Sequence, residues 1–166
     1  MRFVISVYVE NKYGVLARVS GLFMRRGFNI NSLTVDETDD AAYSRITITL
    51  NGDENDKNQL INQLKKLHNV KVVKELLPDN SIESELMLMK VRNSPQSKQA
   101  LAEAGAACFA QVIDENADTL CVEVTGIPAT LNVFIEQMKP LGIVEMCRTG
   151  IVALERTHHI SEELEN

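Results

Sequence analysis

Glu10-Asn11-Lys12-Tyr13-Gly14-Val15-Leu16-Ala17-Arg18-Val19, followed by Arg26-Gly27-Phe28-Asn29-Ile30-Asn31-Ser32-Leu33-Thr34-Val35, reads as a strand end, a turn and a helix start, then a helix stop and a second strand. Upstream, Phe3, Ile5, Val7 and Val9 alternate as in a half-buried strand. Within the helix, Val15, Leu16, Val19, Leu22 and Phe23 recur at i, i+1, i+4, i+7 and i+8, which places them on one apolar stripe. Gly27 stops the helix.

Further along, Leu33 and Val35 mark a second strand, Thr38-Asp39-Asp40 a turn, and Ile46, Ile48 and Leu50 a third strand that ends at Asn51-Gly52-Asp53. A second helix carries Leu60, Ile61, Leu64 and Leu67, and a fourth strand runs from Val70 to Leu77, just before Pro78. The order is βαββαβ. Two amphipathic helices on four antiparallel strands bury their stripes on one face of the sheet. Val4, Tyr8, Ile30 and Val73 are expected on the other face, which is too apolar to stand fully in water and needs a cover from a partner or from the second half of the chain.

The polar stretch 78–84 is the best linker candidate. After it the pattern repeats: a buried strand at Leu86–Val91, an alanine-rich helix from Pro95 to about Ala104, strands over 108–114 and 120–126, and a helix from Pro128 with Leu131, Phe134, Ile135 and Met138 on one face. Residues 143–154 supply the last strand. The fold class is therefore α+β, with two ferredoxin-like βαββαβ units and a charged tail.

With 45% apolar and 24% charged residues in 166, the composition is that of an ordinary globular protein. No apolar run approaches the roughly 18 residues of a membrane span, and Met1-Arg2-Phe3-Val4 has no secretory pattern, so a cytoplasmic protein off the membrane is expected. Residues 1–78 carry 11 Lys and Arg against 9 Asp and Glu, and residues 79–166 carry 6 against 14, so the halves are separate modules. An acidic chain is a poor non-specific binder of nucleic acid. Cys108, Cys121 and Cys147 lack metal or redox spacing and read as buried apolar thiols. His68 stands alone and His158-His159 reads as a surface pair, so no metal site is expected. No catalytic spacing stands out.

The turn at Asn11-x-x-Gly14-Val15-Leu16 differs in kind. A helix start exposes unpaired N–H groups with partial positive charge, which suits a small carboxylate, and Asn11 and Asn29 each offer a donor and an acceptor, as a free amino acid needs. The alternative is that Asn11 caps the helix and Gly14 only turns the chain, and spacing alone leans that way.

The segments 11–23 and 26–35, with Ser44-Arg45-Ile46-Thr47, Gln63–Leu67, Ile113-Asp114, Thr125-Gly126, Leu141–Glu145 and Arg148–Leu154, resemble the small, regulatory subunit of acetolactate synthase (acetohydroxyacid synthase), whose N-terminal unit is an ACT domain. The resemblance spans nearly the whole chain and is weakest over about 93–107. It implies an ACT domain over 1–77, a linker at 78–83, a C-terminal ferredoxin-like domain over 84–157 and a tail at 158–166.

It also implies a subunit without a catalytic site or cofactor of its own. Such a subunit activates a separate catalytic (large) subunit that carries thiamine diphosphate, magnesium and FAD, and confers feedback inhibition by valine in branched-chain amino acid synthesis. The family forms homodimers through its ACT domains. In such a dimer Asn11 and the amides of Gly14, Val15 and Leu16 from one chain meet Asn29 and Ile30 of the other around the effector. A free-standing amino-acid-sensing ACT regulator of transcription, or of another enzyme, is the rival reading, but no helix-turn-helix or basic arm is visible.

Overall fold

A computed structural model describes residues 1–104 and 108–156. The chain forms two compact units, one made of Met1–Ile82 together with the chain from Ile151, the other of Glu83–Gly150. In the first unit β1 (Arg2–Glu10), α1 (Val15–Arg25), β2 (Ile30–Glu37), β3 (Tyr43–Asn51), α2 (Glu54–Leu64) and β4 (Val70–Leu76) follow the expected order. The strands form an antiparallel sheet in the order β2-β3-β1-β4, with β1 and β3 at its centre.

Ile5, Val7, Ile46, Ile48 and Leu50 are fully buried against Val15, Val19, Leu22 and Phe23 of α1 and Leu60 and Leu64 of α2. Each such side chain contributes about 1.5–3 kcal/mol of transfer free energy. Leu16, expected on this stripe, is 41% exposed. It lies about 100° around the helix from Val15, which takes it past the edge of the buried arc.

The helix ends locally explain themselves. Phe28 N–H reaches back to Phe23 O at 3.1 Å with Gly27 at φ +72°, a left-handed stop that glycine adopts without strain. At the start of α2, Asp53 accepts from Asp56 N–H at 2.8 Å while Asp56 accepts from Asp53 N–H at 3.2 Å, a reciprocal cap. Lys57 of α2 is 6% exposed, and its ammonium is matched by Glu75 at 2.9 Å and by Glu54.

The register corrects the expected second face. Val73 lies opposite Val7, and Ile30 opposite Leu50, so both belong to the helix side; Val4 and Tyr8 face away from the helices. Val70-Lys71-Val72-Val73 offers apolar residues to both faces, and only its pairing with β1 decides between them. A cover is present for Val4. Ile151 and Ala153, each 5% exposed, bury it together with Leu76, and Arg45 Nη2 donates to Ala153 O at 2.8 Å. Lys74 pairs with Glu155 at 3.1 Å.

The second unit contains β5 (Ser81–Arg92) from Glu83 onward, α3 (Pro95–Ala104), β6 (Phe109–Glu115), β7 (Thr119–Gly126), α4 (Pro128–Met138) and β8 (Ile143–Arg148), in the sheet order β6-β7-β5-β8. Its core is Met87, Met89, Val91, Leu120, Val122, Val124, Leu131, Phe134 and Met138.

Three expectations differ. The stretch read as a linker holds a 3₁₀ turn at Pro78–Asn80 and the start of β5 at Ser81, which is buried and donates its hydroxyl to Leu77 O. The last strand material is divided, because Gly150 at φ +84° turns the chain and β9 (Val152–Glu155) follows separately, in the first unit. Of the cysteines only Cys108 is buried; Cys121 is half-buried and Cys147 exposed. His158, His159 and the tail lie outside the described residues.

The alternation along β9 makes a matched test. Ala153→Asp places a carboxylate against Val4 and Leu76 and should lower the melting temperature by about 5–10 °C. Val152→Asp, at a position already 46% exposed, should lower it by no more than about 2 °C. Equal shifts in a thermal melt would mean that β9 does not cover this face.

Candidate effector-binding site

Gly14 is the N-cap of α1, at φ +81°, with no side-chain cap hydrogen bond, and a Cβ there would meet no other atom within 4 Å. The space in front of the helix start is therefore open. Arg18 N–H donates to Gly14 O at 3.1 Å and begins the helical ladder, so the amides of Leu16 and Ala17 precede the first helical bond. Val15 differs from expectation: its N–H donates to Lys12 O at 3.2 Å within the turn. The amides of this helix start that precede the ladder and could meet an anion are thus those of Leu16 and Ala17, without Val15.

Asn11 does not cap the helix. Its N–H donates to Ala42 O at 2.7 Å, and its Nδ2 donates to Ala41 O and to Glu37 Oε1, both at 3.0 Å. These bonds tie the end of β1 to the turn between β2 and β3. Both amide hydrogens are occupied, so the side chain has only Oδ1, an acceptor, to offer.

Asn29 and Ile30 lie past the other end of α1. Asn29 is exposed, and Ile30 is half-buried against the first core. Ile30 pairs with Leu50, and Leu50 with Phe3, whereas Asn11 follows Glu10 at the far end of β1. At 3.4 Å per residue the two groups are separated by roughly 25 Å along the sheet. One chain brings Asn11, Gly14, Val15 and Leu16 together, and Asn29 with Ile30, but not the one group to the other.

A polar cluster that sequence reasoning missed lies beside the helix start. Asn69, 9% exposed, accepts from Arg18 Nη1 through Oδ1 at 2.7 Å and donates from Nδ2 to Glu10 Oε2 at 2.7 Å, while Glu10 N–H donates to Asn69 O at 2.9 Å. Glu10 also meets Lys71 at 2.8 Å and Lys12 at 3.0 Å. Lys71, then Lys12 and Asn69, hold the Glu10 carboxyl down to about 2. Asn69 stands between the second helix and the fourth strand, and no local signal in the sequence marks its partners.

Among the described residues no group of three or more His, Cys, Asp or Glu could hold a metal ion, and no helix is long and apolar enough to cross a membrane. A cavity of about 380 Å³ is lined by Lys65, Val70, Lys71, Val72 and Val73, a lining that does not include Asn11, Gly14 or Asn29.

Residues 5–72 match the model of the AHAS small subunit-like ACT domain, and residues 84–157 that of the small subunit of acetolactate synthase. A probable acetolactate synthase small subunit of Archaeoglobus fulgidus is 44% identical over 156 residues, covering 94% of this chain and 98% of that protein. The chain belongs to the acetolactate synthase small-subunit family. The acetolactate synthase small subunit of Mycolicibacterium smegmatis is 41% identical over 152 residues, 92% of this chain and 89% of its own. The crystal structure of the acetolactate synthase small subunit from Thermotoga maritima superposes with a TM-score of 0.84 at 35% identity, covering 94% and 98% of the two chains. Both units are therefore those of this small-subunit family, and the first is its ACT domain.

The Glu10 cluster makes stability depend on pH. Its carboxyl sits at about 2 in the fold against an ordinary value of 4.5, so its contribution is fully present above 4.5 and is lost as pH falls toward 2. Glu10→Gln should melt below wild type at pH 7, with the gap closing between about pH 4.5 and 2. A gap that stays constant across that window would show that the charge of Glu10 is not what stabilises.

Proposed function

We propose that this chain is the regulatory, non-catalytic subunit of an acetolactate synthase, and that it binds valine between the ACT domains of two copies. The observation that carries the reading is the separation of the two half-sites along one edge of the sheet. β2 is an edge strand, with unpaired N–H and C=O groups along its outer side. Antiparallel pairing of β2 with β2 of a second copy, about a two-fold axis, brings the Ile30 end of one strand to the Glu37 end of the other. Asn11 is hydrogen-bonded to Glu37, so the pairing sets Asn29 and Ile30 of one copy beside Asn11 and the α1 start of the other.

Each part of valine then has a counterpart. The carboxylate sits on the amides of Leu16 and Ala17. The ammonium takes Asn11 Oδ1 and the Asn29 oxygen of the second copy, and the isopropyl group packs beside Ile30. Neutral asparagines and a helix start suit a zwitterion because no net charge is buried unpaired.

The chain acts on a separate catalytic subunit, which brings thiamine diphosphate, magnesium and FAD, raises that subunit's activity, and lowers it again when valine is bound. Valine shifts the balance only by its differential affinity for the two states, typically 1–3 kcal/mol, and the coupling is reciprocal. Saturating catalytic subunit should therefore weaken valine binding about 5- to 150-fold. Equal affinity in its presence and absence would contradict the coupling. In the reconstituted enzyme Asn11→Ala and Asn29→His should each abolish inhibition across a valine titration while leaving activation within about twofold; an unchanged inhibition curve would displace the site.

A further inference from the structure

Four charged side chains, Arg18, Glu10, Lys12 and Lys71, meet one amide, Asn69, beside the α1 half-site. Arg18 is a pure donor and Glu10 a pure acceptor. They do not pair with each other there; Asn69 stands between them, offering Oδ1 to the guanidinium and Nδ2 to the carboxylate, each at 2.7 Å. The backbone of Asn69 adds a third tie, to Glu10 N–H. Glu10 immediately precedes Asn11, and Arg18 lies on the first turn of α1, accepted into the helix by Gly14. The amide of Asn69 therefore fixes the distance between the two parts of the half-site, the asparagine at the end of β1 and the free amides at the start of α1.

We propose that Asn69 is a positioning residue for the amino-acid effector, setting the α1 start against Asn11 without touching the ligand itself. The inference rests on the effector reading given above. It also accounts for the Glu10 carboxylate, one residue before Asn11, whose charge is met by Asn69, Lys12 and Lys71.

The chemistry gives the proposal a signature that mere loss of packing lacks. In Asn69→Asp the new carboxylate keeps Arg18 but faces Glu10 at hydrogen-bond distance. Two carboxylates that close share a proton, so one of them titrates well above the ordinary range. Protonated, the pair again has a donor between the two oxygens and imitates the amide. The charged and titratable groups around it are Arg18 on α1, Lys12, Lys71 on β4, Tyr43 facing Lys71, and the exposed neighbour His68. All of them are common to both proteins and cancel in a comparison.

The test is valine binding by calorimetry to the full-length chain at pH 5 to 8, with a thermal melt of each protein. Wild-type affinity should be flat over that range. Asn69→Ala should weaken binding about tenfold or more at every pH, and Asn69→Asp should be weakened at pH 8 and recover severalfold toward pH 5. Should Asn69→Ala not fold, the nearly isosteric Asn69→Asp carries the test through its profile. Variants that bind as wild type does, or an Asn69→Asp profile parallel to wild type, overturn this assignment alone. A wild-type chain that binds no valine overturns the effector reading and this assignment with it.

Discussion

The first unit is governed by the length of its central strand. β1 runs from Arg2 to Glu10 between β3 and β4, and α1 has to return along that whole length before β2 can join the sheet beside β3. The start of α1 and the start of β2 are thereby fixed at opposite ends. The apolar packing of Ile5, Val7, Val19, Leu22 and Phe23 makes that separation rigid. A small ligand a few ångströms across cannot touch both ends within one chain, so a site that uses both ends has to be built from two chains.

The same topology occurs in the second unit with different chemistry. β5 to β8 repeat the strand order, but the conspicuous polar feature is a closed one. Glu85, 4% exposed, receives Arg148 through Nε at 2.8 Å and through Nη2, while Arg148 Nη1 donates to Asn132 at 2.9 Å. A buried carboxylate met on both oxygens by one guanidinium is satisfied within the fold and leaves nothing to offer a ligand. The first unit instead presents open space before Gly14 and two amides ahead of the helical ladder. The contrast is the physical ground on which the proposed effector site is placed in the first unit.

Much of this was legible in the chain because it depends on neighbours in sequence. The 3.6-residue spacing of Val15, Val19 and Leu22, the alternation of Ile46, Ile48 and Leu50, Gly27 as a helix stop and Pro128 as a helix start each act within a turn or a strand. What escaped depends on distant partners. The faces taken by Val73 and Ile30 follow from pairing, with register shifts at Tyr8/Val9 and Ile30/Ser32. The loss of Asn11 as a donor depends on Ala41 and Glu37, about thirty residues away, and the role of Asn69 on Glu10 and Arg18, more than fifty away. The helix start and its flanking asparagines could be named from the sequence, while their hydrogen-bond capacity could be read only in three dimensions.

The central claim is that the effector site is composite, with Asn11 from one copy and Asn29 from another. Mixing two defective chains, Asn11→Ala and Asn29→His, and measuring valine stoichiometry by calorimetry tests it most directly. Each variant alone should bind no valine. After subunit exchange at equal amounts, half of the dimers are mixed, and each mixed dimer regains one intact site, so the account predicts about one valine bound for every four chains. A mixture as inactive as its components would contradict it, because a site built within a single chain cannot be repaired by a partner that carries the other defect.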